Sequence, residues 1–249
     1  MPIDIALVNT IAPLKNVTLL GELLDRVIDR ARGLPGMATF HGPSGFGKSF
    51  AALYNVNKYR AHYVQVRSVW TRKKLCQAIL AEMGIQAAPT IADMMDQIGQ
   101  ELSLSRRPLI IDEADFLVQK GMVEVLRDIF ETSHSAIILI GEENLPASLK
   151  RWERVHGRML DWVAAQPATL ADAEHLAKLY CRGIKIAEEL LKRLHEASGA
   201  SIRRICVNLD RMREEAVGKG LKTLSSDDFS GQFFTGHPPA RRLSESAAA

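Results

Sequence analysis

The chain has 249 residues, 47% hydrophobic and 24% charged, and its 32 Lys+Arg against 29 Asp+Glu leave a formal net charge of +3. This composition excludes a disordered, collagen-like or low-complexity chain, and the length suits one large domain with a small appendage. The slight positive balance excludes a protein-wide basic field, so any nucleic-acid contact has to come from a local patch.

Residues 1–17 read as a lead-in, with Pro2 and Pro13 opposing regular structure. Leu20, Leu23, Leu24, Val27 and Ile28 recur at helical spacing and predict a helix over 19–31, with Thr18 as its cap and Gly33, Pro35 and Gly36 ending it. A strand at 37–41 leads into a glycine-rich turn and a helix from Lys48. Further strands are predicted at 62–66, 109–111, 136–140 and 162–165, with helices over 71–83 and 90–102 between them. Strands alternating with helices predict a parallel sheet covered on both faces. After Leu170 the strand signals stop, and helices are predicted over 170–181, 186–197 and 201–217. The expected organisation is a lead-in (1–17), an α/β subdomain (18–168), a helical lid (169–230) and a disordered tail (231–249).

Cys76, Cys181 and Cys206 are odd in number and widely spaced, which supports neither a disulfide framework nor a zinc site and predicts buried thiols. The amino terminus has no basic segment leading into a long apolar run, and no apolar stretch is long enough to cross a bilayer. A soluble cytoplasmic protein is expected.

Gly42-Pro43-Ser44-Gly45-Phe46-Gly47-Lys48-Ser49 satisfies G-x-x-x-x-G-K-[ST] between an apolar strand and a helix. Glycines let successive backbone N–H groups converge on phosphate oxygens, and the following helix adds its unpaired amides and positive dipole end. Lys48 is expected to reach the β- and γ-phosphates of ATP, and Ser49 to hold Mg²⁺. Residues 109–113 form an apolar strand ending in Asp112 and Glu113. At the carboxyl edge of a parallel sheet such acids face the ligand crevice. Asp112 is expected to act on the metal, and Glu113 to orient and polarise the attacking water. Together these residues predict an ATP hydrolase.

GPSGFGKS (42–49), YVQVRSVWTRKKLCQAILAEMGI (63–85), PLIIDEADFL (108–117), AIILIGEENL (136–145), RWERVHGRM (151–159) and GASIRRICVNLDRM (199–212) resemble the AAA+ transposition ATPases, the family of the phage Mu B protein, TnsC and TniB, with ExeA-type ATPases nearby. The resemblance spans residues 15–217. It implies an α/β P-loop AAA+ domain with a central five-stranded parallel sheet flanked by helices, and a small all-helical lid. It also implies an ATP- and Mg²⁺-dependent ring or helical filament on double-stranded DNA, with ATP at subunit interfaces, delivering target DNA to a transposase and activating it. Related functions in the same architecture are helicase loading or replication, and ExeA-type work on a protein partner.

The resemblance implies a γ-phosphate sensor among Glu142, Glu143 and Asn144, with Asn144 favoured because a carboxylate there repels phosphate. An arginine finger is implied among Arg151, Arg154 and Arg158, with Arg154 and Arg158 favoured; their spacing would place them on one helical face. Arg203, ahead of Arg204, matches the lid arginine that senses nucleotide. Arg67, Thr71, Arg72, Lys73, Lys74 and Lys120 are the expected contacts to the DNA backbone, salt-dependent and nearly indifferent to sequence. Phe233, Phe234, Arg241 and Arg242 fall in the expected disordered tail.

Overall fold

The computed structural model describes residues 14–237. Five strands form one parallel sheet: β1 (Met37–His41), β2 (His62–Gln65), β3 (Leu109–Asp112), β4 (Ile137–Gly141) and β5 (Met159–Ala164), in the order β2-β3-β4-β1-β5. The registers Met37↔Ile137, Leu109↔Ile137 and His62↔Leu109 align the central strands, so their carboxyl ends finish along one edge. Alternation along the strands divides the core. Phe40, Ile110, Ile138 and Ile140 belong to one apolar cluster, while Met37, Leu109, Ile111, Ile137 and Leu139 belong to the other. This two-sided burial explains why β3 and β4 read as continuous apolar runs.

The first face is covered by α1 (Lys15–Ile28) and α2 (Lys48–Tyr59), and the apolar cluster on that side continues into α9 (Leu170–Tyr180), α10 (Glu188–Ala197) and α11 (Ile202–Gly218). The second is covered by α3 (Arg72–Glu82), α4 (Ile91–Ser105), α5 (Asp115–Gln119), α6 (Val123–Ser133), α7 (Leu145–Leu149) and α8 (Glu153–His156). α1 starts at Lys15 rather than at residue 19, with Val17 already buried in the first cluster, and Leu14 precedes the helix without a side-chain cap. α6 is absent from the sequence expectations, although Val123, Leu126, Ile129 and Phe130 mark its buried stripe. β5 begins three residues before its expected start.

Residues 169–230, expected to be all helical, also carry β6 (Lys185–Ile186) and β7 (Thr223–Leu224), which pair in parallel; two-residue strands are too short to leave a periodic signal. Residues 231–237, expected in the tail, lie against α11: Asn208 donates to Phe234 O (3.1 Å) and accepts from Phe234 N–H (2.7 Å). Arg241 and Arg242 lie outside the described residues. Cys76 and Cys181 are buried free thiols, and Cys206 is half-buried. Among the described residues no helix is long and apolar enough to cross a membrane.

Candidate functional site

The loop 42–47 leaves β1 at the carboxyl edge of the sheet and delivers the chain into α2. Gly45 (φ 86°) and Gly47 (φ 82°) occupy the left-handed region that favours glycine. A Cβ on Gly45 would lie 2.6 Å from Ser201 Oγ, so the close approach of the lid also requires glycine there. Gly47 is the N-cap of α2 and supplies no side-chain acceptor. The first-turn amides of α2 therefore lack intrahelical partners and can bind an anion. Asn16 secures the loop from α1 by donating to Phe46 O and Gln166 O, each at 2.8 Å.

Lys48 Nζ donates to Gly42 O (2.6 Å) and Pro43 O (2.9 Å), which holds the ammonium over the loop. Burial lowers its pKa, opposed by the charges of Asp112, Glu113, Glu142 and Asp115. Asp112, 2% exposed, accepts from Ser49 Oγ (2.9 Å) and Tyr63 Oη (2.7 Å) at Oδ2, and from Glu113 N–H (2.9 Å) at Oδ1. Glu113 turns sharply at φ 58°. Burial raises its pKa, and the neighbouring Asp112 and Asp115 carboxylates raise it further. The result is a more basic carboxylate, suited to accepting a proton from water.

These groups line a cavity of about 320 Å³. Ser44, Gly45, Gly47, Lys48, Ser49, Asp112, Glu113 and Glu142 form its polar side, while Phe50, Tyr180, Ile202, Cys206 and Val207 form its apolar side. α11 contacts the loop directly: Arg203 N–H donates to Gly45 O (3.1 Å), and Arg203 Nη1 donates to Ser44 Oγ (3.3 Å). Arg204 instead lies beside Gly236.

The expectation for Asn144 is corrected. Asn144 is exposed at the start of α7, outside the cavity wall, and the residues lining the wall after β4 are Gly141 and Glu142. The shared helical face for the three arginines is also corrected. α8 spans only Glu153–His156, so Arg151 and Arg158 lie outside it. Arg154 is exposed, and Arg158 pairs with Glu131. Arg158 O accepts Met37 N–H (3.0 Å) at the beginning of β1, roughly 15 Å along that strand from the loop that follows it. Arg158 therefore stands at the opposite edge of the sheet from this chain's own cavity.

The basic residues form one neighbourhood around the loop after β2. Thr71 caps α3 by accepting Lys74 N–H (3.3 Å), and Arg72 Nη2 donates to Gly121 O (3.2 Å). Lys120 Nζ donates to Trp70 O (3.2 Å), which joins Lys120 to the 67–74 segment, 46 positions away at its nearest. Lys73 donates to Pro89 O (3.0 Å), and Arg67 and Lys74 are exposed. Val69, 79% exposed, projects amid these cations. Sequence reasoning missed Asn16, Tyr63, Asp115 and Ser201, whose partners lie far away in the chain; only the apolar wall at Tyr180 and Cys206 left a local trace, as part of the helical pattern.

Residues 31–149 match the family described as AAA domain. A comparison with curated proteins finds no match. Among solved structures, Cdc6p from Pyrobaculum aerophilum is similar at a TM-score of 0.61 and 15% identity, covering 88% of this chain and 68% of that one. The Aeropyrum pernix Orc1 protein in complex with DNA is similar at 0.61 and 17%, covering 86% and 62%. The Thermotoga maritima RuvB Holliday junction branch migration motor is similar at 0.60 and 17%, covering 86% and 66%. This chain thus spans about two thirds of each protein's length. The likeness to these structures shows the P-loop AAA+ fold, and the AAA domain match covers just under half of the chain.

Proposed function

We propose that this chain is an AAA+ ATPase that hydrolyses ATP in the cavity between loop 42–49 and α11, and that in its ATP state it assembles on double-stranded DNA. The observation that carries the reading is the convergence of Lys48, Ser49, Asp112, Glu113 and Arg203 on one cavity. Loop amides and the α2 terminus would hold the phosphates, with Lys48 adding charge. The Ser49 hydroxyl and Asp112 carboxylate, 2.9 Å apart, are hard oxygen donors that fit a magnesium ion. Magnesium bound there would supply neutralisation of phosphate charge. Glu113 would take a proton from the attacking water, Arg203 would read the phosphates from the lid, and Glu142 is the residue after β4 at the cavity wall.

Arg154 or Arg158 would serve a neighbouring copy's nucleotide, which makes ATP a bridge between subunits. The position of Arg158 at the far edge of the sheet supports a role between copies rather than within one. Arg67, Thr71, Arg72, Lys73, Lys74 and Lys120 would meet DNA phosphates; the tie between Lys120 and Trp70 supports their acting as one surface. The presence of DNA with the similarly folded Orc1 protein agrees with a DNA-associated role. Delivery of target DNA to a transposase, and its activation, rests on the sequence resemblance of residues 15–217.

The test is duplex binding with ATP, ADP or neither at two salt concentrations. Binding that is ATP-dependent and weakens steeply with salt is expected. Duplex affinity that ignores nucleotide overturns the coupling, and absence of duplex binding redirects the reading to a protein partner. Stimulation of strand transfer by a transposase encoded beside this protein tests the finer reading.

A further inference from the structure

α5 touches both halves of this arrangement. At its beginning, Ala114 N–H donates to Ile140 O (2.9 Å), and Asp115 Oδ2 accepts Glu142 N–H (2.7 Å). A Cβ on Gly141 would lie 2.4 Å from that same Oδ2, so the carboxylate reaches the end of β4 only because residue 141 is glycine. At the other end, Lys120 donates to Trp70 O and the carbonyl of Gly121 accepts from Arg72, each at 3.2 Å. Leu117 and Val118 between them are buried in the core. Five helical residues span about 7.5 Å, and a close-packed interior transmits strain over such a distance.

We propose that Asp115 is a positioning residue that links the ATP cavity to the basic patch through α5. The inference rests on the reading of that patch as a DNA surface. DNA phosphates compete with the Trp70 carbonyl for the Lys120 ammonium and release that end of α5. The displacement reaches Glu142 through Asp115, and it reaches Glu113, two residues before Asp115, through the backbone. Contacts at Glu142 and Glu113 in turn bias the same helix, so coupling runs both ways.

The experiment compares wild type, Asp115→Ala and Asp115→Asn. It measures duplex affinity with a non-hydrolysable ATP analogue and with ADP, together with kcat and KM for ATP with and without duplex. Thermal melting checks that each variant is folded. In Asp115→Ala the ratio of duplex affinities between the two nucleotide states is expected to collapse by about tenfold, and duplex stimulation of kcat, taken relative to the same variant without duplex, falls with it. Asp115→Asn, which keeps an acceptor oxygen for Glu142 N–H, is expected to retain most of both and carries the test if the alanine variant does not fold. Retention of the full ratio and stimulation by Asp115→Ala overturns the inference alone. Equal loss in Asp115→Asn and Asp115→Ala also overturns it, because the hydrogen bond then is not the link. A wild type that binds no duplex in either state overturns the DNA reading and this inference with it.

Discussion

Tyr63 donates its hydroxyl hydrogen to Oδ2 of Asp112 at 2.7 Å, the oxygen that also accepts from Ser49. The tyrosine lies on β2 and the aspartate at the end of β3, so an adjacent strand orients the carboxylate expected to act on magnesium. Tyr63→Phe removes that donor while keeping the ring. Groups that orient a ligand of this kind commonly change metal affinity by 10–100-fold. A rise of about tenfold in the magnesium concentration for half-maximal ATP hydrolysis is the expected result, and an unchanged magnesium titration rules out this orienting role.

Lys48→Ala removes the cation that bridges Gly42 O and Pro43 O. Loss of detectable ATP binding by calorimetry is expected, with the melting curve of the free protein nearly unchanged because the loop lies at the surface of the core. Heat of binding equal to that of wild type would remove Lys48 from the site.

Glu113→Gln keeps the shape of the side chain and removes its basicity. Hydrolysis is expected to fall by about 10²–10⁴-fold, the usual loss for a positioned proton acceptor, with ATP affinity within a few-fold of wild type. Duplex complexes formed with ATP are expected to persist longer than those of wild type in a dissociation time course. A variant that turns ATP over normally assigns the water-activating role elsewhere.

His62 is fully buried on β2, and neither ring nitrogen has a hydrogen-bond partner among the described residues. Burial, with Arg107 nearby, lowers its pKa to about 4 from an ordinary 6.5. Between those values the unfolded chain binds a proton that the folded chain refuses, so stability is present above about pH 6.5 and declines as pH falls towards 4. The loss attributable to this group reaches about 3 kcal/mol. Urea unfolding of wild type and His62→Leu across that range measures it: the wild-type midpoint is expected to drop more steeply on acidification, and parallel pH profiles contradict the assignment.

The sheet and the phosphate loop were legible because their signals are local. A glycine turn between an apolar strand and a helix is written in consecutive residues 37–59, and β3 and β4 announce their two-sided burial as unbroken apolar runs. The rest of the cavity depends on chain segments far apart. Tyr63 reaches Asp112 across 49 positions, Asp115 reaches Glu142 across 27, and Ser201 reaches Gly45 across 156. No periodicity reports such pairings. The arginines after residue 150 misled for a related reason: helical spacing over 151–158 is present in the sequence, but Gly157 and the early start of β5 leave a helix of four residues.

The lid meets the loop through main-chain as well as side-chain atoms, since Gly45 O accepts from Arg203 N–H at 3.1 Å and from Ser201 Oγ at 3.3 Å. Those two anchors do not depend on a guanidinium. In the proposed reading, exchanging Arg203 for a neutral residue removes the reader of negative charge and leaves both contacts to Gly45 in place, so nucleotide discrimination and the seating of α11 on the loop are expected to be genetically separable.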